Sequence, residues 1–327
     1  MTLPPTRRQA IAVASGLVFL PWSAFAKESY PSRPIKMLVP FAPGGGADLA
    51  ARMLAEGLRL ELGQPVVVDN RPGAAGTIGT AAAATAAPDG YTILFSTTTN
   101  QICAPLLMDK PPYDGVKSFT PISLILRYTG AVLVSSSVPG TTFAEFVAYA
   151  RQRPGKLNFG SSGMGSNNHL LGELLKSTLG IDIVHVPYKG SAAAVQALAN
   201  DEVQIFVDSV PSAINWLQQG KVRAIALTSR GRSNMLPGIP TLMELGVVSS
   251  PADYWVGLFA PPRLPSDLIH RLRTATDKVL ASAEMLKFAA SGAAEVGTES
   301  PEQFKQFLAD EQLRWGDVIR KNKLHIS

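Results

Sequence analysis

Apolar positions along this chain fall into two alternating rhythms. Short apolar runs at residues 37–40, 66–68 and 91–96 predict strands. Between them lie stretches with helical spacing. Residues 48–62 place Leu49, Met53, Leu54, Leu58 and Leu62 on one face and stop at Gly63, and an alanine-rich helix over 78–87 closes at Pro88-Asp89-Gly90. A second set repeats the pattern. It predicts strands at 131–135, 157–159, 183–186, 205–208 and 224–228, and helices at 142–151, 168–179, 191–199 and 212–218. Thr142 followed by Glu145 is a capping box for the first of these helices. A strand at 254–260 then returns to the first set, and helices at 266–282 and 301–323 finish the chain. The last carries Phe304, Phe307, Leu308, Leu313, Trp315 and Ile319. This alternation argues for an α/β protein of two lobes, each a mostly parallel sheet flanked by helices. The chain is expected to cross between lobes near 127–130 and again near 229–236, so that lobe 1 is 27–128 plus 233–327 and lobe 2 is 129–232.

Two segments read as one device: a buried strand, a loop of glycine and small polar residues, then a helix start. The first loop is 41–48, from Phe41 through Gly44-Gly45-Gly46 and Ala47 to Asp48; the second is 160–168, from Gly160-Ser161-Ser162-Gly163 to Ser166-Asn167-Asn168. Free backbone N–H groups and the positive end of the helix dipole suit such turns to anions. Two ordinary strand–helix turns would look similar. Their separation along the chain suggests that each lobe offers one loop to a shared ligand.

Residues 1–26 are set apart from the fold. Arg7 and Arg8 precede an apolar run over 10–20, too short to span a membrane, and Ala24-Phe25-Ala26 fits the small-x-small cleavage rule. Export to the periplasm with cleavage after Ala26 is expected. Thr6-Arg7-Arg8-Gln9 also brushes the twin-arginine pattern, but Ala10 stands where that pattern favours a large apolar residue, so ordinary secretion is preferred. About 300 residues remain, long for one core and ample for two domains. The net charge is +5, two charges of which sit in the leader, and no Lys/Arg run points to nucleic acid or a membrane surface. Cys103 is the only cysteine, which excludes an intrachain disulfide and a lipid-anchoring cysteine after the cleavage point. A small core residue is its expected role.

Catalytic signatures are missing. There is no HExxH, CxxC or Walker A pattern; GxGxxG fails at Asn168, and GxSxG fails because Gly163 follows Ser162 directly. His169, His185, His270 and His325 lack the spacing of a metal pair. His270 and His325 read as surface residues and His185 as a packing residue, whereas His169 stands at the second loop's helix start, where ligand contact and packing are both open. The loops hold no Arg or Lys. Hydroxyls, asparagine and backbone N–H groups could hold a carboxylate there without formal charge, and Thr97-Thr98-Thr99-Asn100 continues the theme. Asp48 suits the first turn of its helix. Asp208 could receive a ligand amine or hydroxyl, or cap the following helix. Lys189 reads as a solvated turn lysine.

With these residues in hand, the chain resembles the substrate-binding proteins of tripartite tricarboxylate transporters, the TctC-like Bug family. The resemblance covers essentially the whole mature chain. It is carried by Val39-Pro40-Phe41-Ala42-Pro43-Gly44-Gly45 with Asp48, Asn70-Arg71-Pro72-Gly73, Ala87-Pro88-Asp89-Gly90-Tyr91-Thr92, Pro154-Gly155-Lys156-Leu157-Asn158-Phe159-Gly160-Ser161, Val184-His185-Val186-Pro187-Tyr188-Lys189-Gly190, Asp208-Ser209-Val210-Pro211-Ser212 and Arg314-Trp315-Gly316. It implies a type II periplasmic binding fold, a Venus flytrap that closes over a small carboxylate. It also implies delivery to one large and one small integral membrane subunit.

The expected ligand contacts are Phe41, Gly45, Ala47 and Asp48 from the first loop, Thr98 after the third strand, Ser161, Ser162, Ser166, Asn167 and His169 from the second loop, and Tyr188 and Asp208. Asn167-Asn168 stands where relatives often carry a small hydroxyl residue and then an apolar one, and Gly46 adds a third glycine to the first loop; both leave specificity open. No metal, cofactor or nucleic acid is expected, and the chain should act as a monomer. A ligand sensor docking on a receptor or sensor kinase would need the same clamp, and neighbouring genes would separate the two roles. An exported hydrolase would need a nucleophile–base pair that scattered serines and histidines do not announce.

Overall fold

The computed structural model describes residues 30–325. The expected leader and its cleavage point lie outside them. In chain order the elements are β1 (Ile35–Val39), α1 (Gly46–Leu62), β2 (Val66–Asn70), α2 (Thr77–Ala84), β3 (Thr92–Thr97), a π-helical turn (Thr99–Cys103) running into α3 (Ala104–Leu106), β4 (Thr120–Tyr128), β5 (Gly130–Ser135), α4 (Phe143–Arg151), β6 (Leu157–Ser161), α5 (Asn167–Leu179), β7 (Ile183–Pro187), α6 (Ser191–Ala199), β8 (Ile205–Ser209), α7 (Val210–Gln218), β9 (Val222–Leu227), β10 (Tyr254–Ala260), α8 (Ser266–Leu280), α9 (Ala283–Ser291), β11 (Ala294–Val296) and α10 (Pro301–Lys321).

Two sheets result, ordered β11-β4-β10-β3-β1-β2 and β7-β6-β8-β5-β9. They are mixed, not mostly parallel. In the first, β1 runs parallel to β2 and β3, while β10 is antiparallel to β3 and β4, and β11 to β4. In the second, β6 runs parallel to β7 and β8, while β5 is antiparallel to β8 and β9. The reason lies in the crossing. The strands that enter each sheet from the other carry the antiparallel sense: β5 follows β4 after Thr129 alone, and β10 returns to the first sheet from β9 with no helix between.

β4 escapes the period-based reading because Pro121 argues against a central strand. Here Pro121 pairs with Phe259 beside a register shift between Leu258 and Phe259, an irregularity where a missing N–H is tolerated. α9 also escaped that reading. It follows α8 closely, and Ser282 caps it by accepting from Met285 N–H at 3.2 Å.

Strand alternation sorts the core of the second sheet. Val132 and Val134 of β5 join a cluster with Phe146 and Leu171, whereas Ala131 and Leu133 join Leu198 and Val210 on the other face. The first cluster continues through Trp255, Phe259, Phe304 and Trp315, so one apolar core passes behind both sheets. α10 supplies its pin: buried Glu311 accepts from the indole N–H groups of Trp255 (2.9 Å) and Trp315 (3.1 Å). Its other oxygen lies 2.9 Å from Arg314 Nη1, at ion-pair distance but outside hydrogen-bond alignment. Cys103 is buried and free, as a core residue should be.

Gly172 of α5 lies against Phe159 of β6. A Cβ there would sit 2.3 Å from Phe159 Cε2, and that ring is itself held by a stack on His185 (4.7 Å between centroids). Gly172→Ala is therefore expected to destabilise by about 1–2 kcal/mol, overpacking outweighing the gain in helix propensity. A urea titration reads it directly, and an unchanged or raised midpoint would refute the close packing.

Candidate functional site

The two glycine loops meet. Phe41, Gly46 and Ala47 from the first loop and Ser162, Asn167 and Asn168 from the second line one cavity of about 600 Å³ between the sheets. The backbone supplies the first wall. Gly44 takes φ +85°, a left-handed conformation natural to glycine, and Gly45 opens α1 without a side-chain cap. The positive end of α1 thus faces the cavity through Gly46 and Ala47.

Asp48 is not on the wall. Its carboxylate accepts from Gly44 N–H (2.9 Å), Arg52 Nε (2.9 Å) and Asn70 Nδ2 (2.8 Å), and Asn70 Nδ2 also reaches Phe41 O (3.0 Å). Arg52 above all, then the Gly44 and Asn70 contacts, hold its pKa down to about 2 against the opposing effect of burial. Asp48 organises the loop that the ligand would meet. Gly45, at the helix cap, also lies off the wall.

The second loop divides into wall and scaffold. Asn168 Oδ1 accepts from Ser162 N–H (3.0 Å) and Ser162 Oγ (2.9 Å), so the Ser162 hydroxyl is already engaged. Ser166 caps α5, accepting from His169 N–H at 3.3 Å. Beneath the loop, His169 and His185 stack at 4.0 Å between ring centroids, with Phe159 behind His185. Gly165 N–H donates to His169 Nδ1 at 3.2 Å. Burial pushes His169 down to about 4; burial, with smaller contributions from His169 and Lys176, pushes His185 down to about 3. Both rings are neutral at physiological pH and serve packing, with His270 and His325 exposed.

Ser161 lies 2.6 Å from His185 Nε2, the one contact a hydrolase reading could use. Ser161 is fully buried, however, and His185 is too weak a base to serve it at neutral pH. Tyr188 anchors its own loop by donating N–H to Ser161 O at 2.9 Å. Ser161, Ser166, His169 and Tyr188 therefore support the wall without forming it.

Asn167 is different. It is 2% exposed, and neither atom of its side-chain amide has a hydrogen-bond partner. Its backbone N–H reaches Thr99 Oγ1 at 3.3 Å, tying α5 to the π-helical turn after β3. Thr98, also on the wall, accepts from Trp255 N–H at 3.1 Å. Asp208, at the end of β8, accepts from Ser209 N–H through Oδ1 (2.8 Å), while its Oδ2 is buried and unpartnered. It does not cap the next helix: α7 starts at Val210 with no side-chain cap. Burial raises the Asp208 pKa, against smaller lowering effects of Ser209 N–H and the Ser191 and Ser212 hydroxyls. Lysine, arginine and histidine are absent among the described residues of the wall, and Asp208 is its sole carboxylate.

Several wall residues went unforeseen. Tyr128, Tyr254 and Trp255 stand where β4 and β10 reach the crossings, and Phe288 and Ser291 come from α9, with Gly292 at its C-terminal cap. At the crossing Gly130 and Thr228 exchange backbone and side-chain hydrogen bonds at 2.9 Å, and Tyr254 of β10 lines the wall there. Leu49, read as part of the core face of α1, is 53% exposed and lines the cavity instead.

The family described as tripartite tricarboxylate transporter family receptor matches residues 50–324. The chain belongs to this family. Its sequence is 37% identical over 313 residues to protein BugT of Bordetella pertussis, covering 95% of each chain. Its fold is similar to that of Rpa4515 of Rhodopseudomonas palustris, solved with adipate (34% identity, TM-score 0.78, covering 89% of this chain and 97% of that one). It is also similar to MatC of Rhodopseudomonas palustris with bound malate (31% identity, TM-score 0.76, covering 89% and 100%). The tripartite tricarboxylate transporter receptor is thus a solute-binding protein of the two-lobed periplasmic type, with one mixed sheet in each lobe. No helix among the described residues is long and apolar enough to cross a membrane.

Proposed function

We propose that this receptor captures a small carboxylate in the cavity between its two sheets and hands it to the large and small membrane subunits of a tripartite transporter. The observation that carries this reading is the Asn167 amide, buried and unpartnered on a wall that also presents the uncapped start of α1. Buried polar groups are almost always paired, so this amide, beside a helix N-terminus, suits a ligand oxyanion. The adipate and malate bound by the two Rhodopseudomonas relatives support the same class of ligand. We place the lobes at 27–128 with 233–327 and at 129–232, the chain crossing at Thr129 and again after β9. The protein would work as an exported monomer, freed after Ala26, with no turnover of its ligand.

Native mass spectrometry of the purified protein should find a bound carboxylic acid, released unaltered. A thermal-shift screen of aliphatic and aromatic carboxylates should raise the melting point, since a ligand at a hundred times its Kd adds about 2.7 kcal/mol. A screen in which no carboxylate stabilises the protein, or recovery of a converted product, would overturn the reading.

A further inference from the structure

Asp208 poses a problem for a carboxylate site. It is 4% exposed, it lies on the cavity wall, and one of its oxygens lacks a partner. It is also alone in charge. β8 is packed by β5, β6, α6 and α7, none of which carries an ionisable side chain. α5, the other element packed on β8, carries His169, Glu173 and Lys176, and none of these lines the cavity. Across the cleft β10 contributes Tyr254, whose hydroxyl donates to Val207 O at 2.8 Å and whose pKa is raised by burial and by Asp208 itself, so it stays neutral. Tyr128 is likewise raised by burial, to about 12. Neither Ser191 nor Ser212 gives Oδ2 a hydrogen bond, and the Ser212 hydroxyl is committed to Ser209 O at 2.7 Å.

A carboxylate ligand entering this cavity would bring a second anion to a wall that carries no lysine, arginine or histidine. Where a ligand carboxylate comes within contact distance of a buried carboxylate, the pair favours the state in which one of them retains a proton. The unpartnered Oδ2 is where that proton can reside, and a protonated carboxyl has the donor that an ionised one lacks. We propose that Asp208 takes up one proton from solvent when a carboxylate is captured, and that its new O–H then donates to the ligand. No bond other than O–H forms, and the proton returns to solvent on release. This rests on the carboxylate reading above and adds to it that capture is proton-linked. Acidic surroundings would favour loading, and neutral or alkaline ones release.

Calorimetry tests it with carboxylates that stabilise the protein in the thermal screen, adipate and malate included. Titrations between pH 6 and 8, above the ligands' own pKa values, are run in two buffers of different ionisation enthalpy. The expected result is net uptake approaching one proton per ligand, with affinity falling up to tenfold per pH unit. In Asp208→Asn, binding should lose its pH dependence and its proton uptake. Proton exchange in the parent needs no variant, so a misfolded Asp208→Asn would not blunt the test. Tight but pH-independent binding without proton uptake would overturn this inference and leave the carboxylate reading standing. Failure of every carboxylate to bind would overturn that reading instead.

Discussion

Asn167→Ala is expected to weaken carboxylate binding by about ten- to a hundredfold. A hydrogen bond to a charged group is worth roughly 1.5–3 kcal/mol, and each 1.4 kcal/mol is about tenfold in affinity. Asn167 has both amide atoms buried and unpartnered in the apo protein, so nothing inside the chain competes for them. The same fact gives the prediction a second half. Removing a buried, unsatisfied amide should leave apo stability unchanged or raise it, because the protein bears the desolvation cost of that group without return. Ser162→Ala should behave in the opposite way. Its hydroxyl and backbone N–H both rest on Asn168 Oδ1, so its loss loosens the loop and costs some stability, with a smaller effect on affinity. Titration calorimetry with apo melts separates the two residues. Equal, small effects on binding in both variants would place the ligand elsewhere in the cavity.

That contrast marks where the sequence stops being legible. The loops and their helix starts follow from period, glycine and capping residues, all local properties. Thr142 and Glu145 form the expected capping box, and helices 191–199 and strand 254–260 fall where the pattern puts them. Which hydroxyl or amide on a loop faces the cavity is not local. Asn167 and Asn168 are neighbours of one type. One keeps both amide atoms buried and without a hydrogen-bond partner beside the cavity, while the other turns back to hold Ser162. Asp48 and Ser161 are both polar groups in anion-suited loops. Their capacity is spent on Arg52, Gly44 and Asn70 in one case and on His185 and the loop backbone in the other. Aromatic wall residues arrive from β10, which the pattern does place, and from β4 and α9, elements whose placement depends on a proline at a register shift and on a second helix start just beyond α8. Neither signal is periodic.

The histidine stack also makes stability depend on pH in a way that can be signed. His169 and His185 have folded pKa values near 4 and 3 because burial opposes their charging; unfolded, each returns to about 6.5. The unfolded chain therefore binds protons first as the pH falls. The contribution of these two rings to stability is complete above about pH 6.5 and is lost as the pH drops towards 4 and 3. Asp253 acts in reverse. It is 7% exposed behind the crossing, where it accepts from Thr228 Oγ1 at 3.1 Å, and burial raises its pKa to about 7. The folded state holds its proton longer, so its contribution is greatest below about pH 4 and fades as the pH rises through 7. Because Glu173 and Asp208 are raised by burial as well, the parent profile is a partial cancellation, and variants are needed to expose each slope. His185→Phe, which keeps an aromatic in the stack, should be less stable than the parent at pH 7.5 through loss of the Ser161 contact. Between pH 6.5 and 4 it should gain on the parent by on the order of 3 kcal/mol, since one proton-linked penalty of about 1.4 kcal/mol per pH unit has been removed. Asp253→Asn should gain on the parent in the other direction, as pH rises from 4 to 7. Urea midpoints at pH 4.5, 6 and 7.5 decide the matter, and three parallel profiles would mean that neither group is proton-linked to folding.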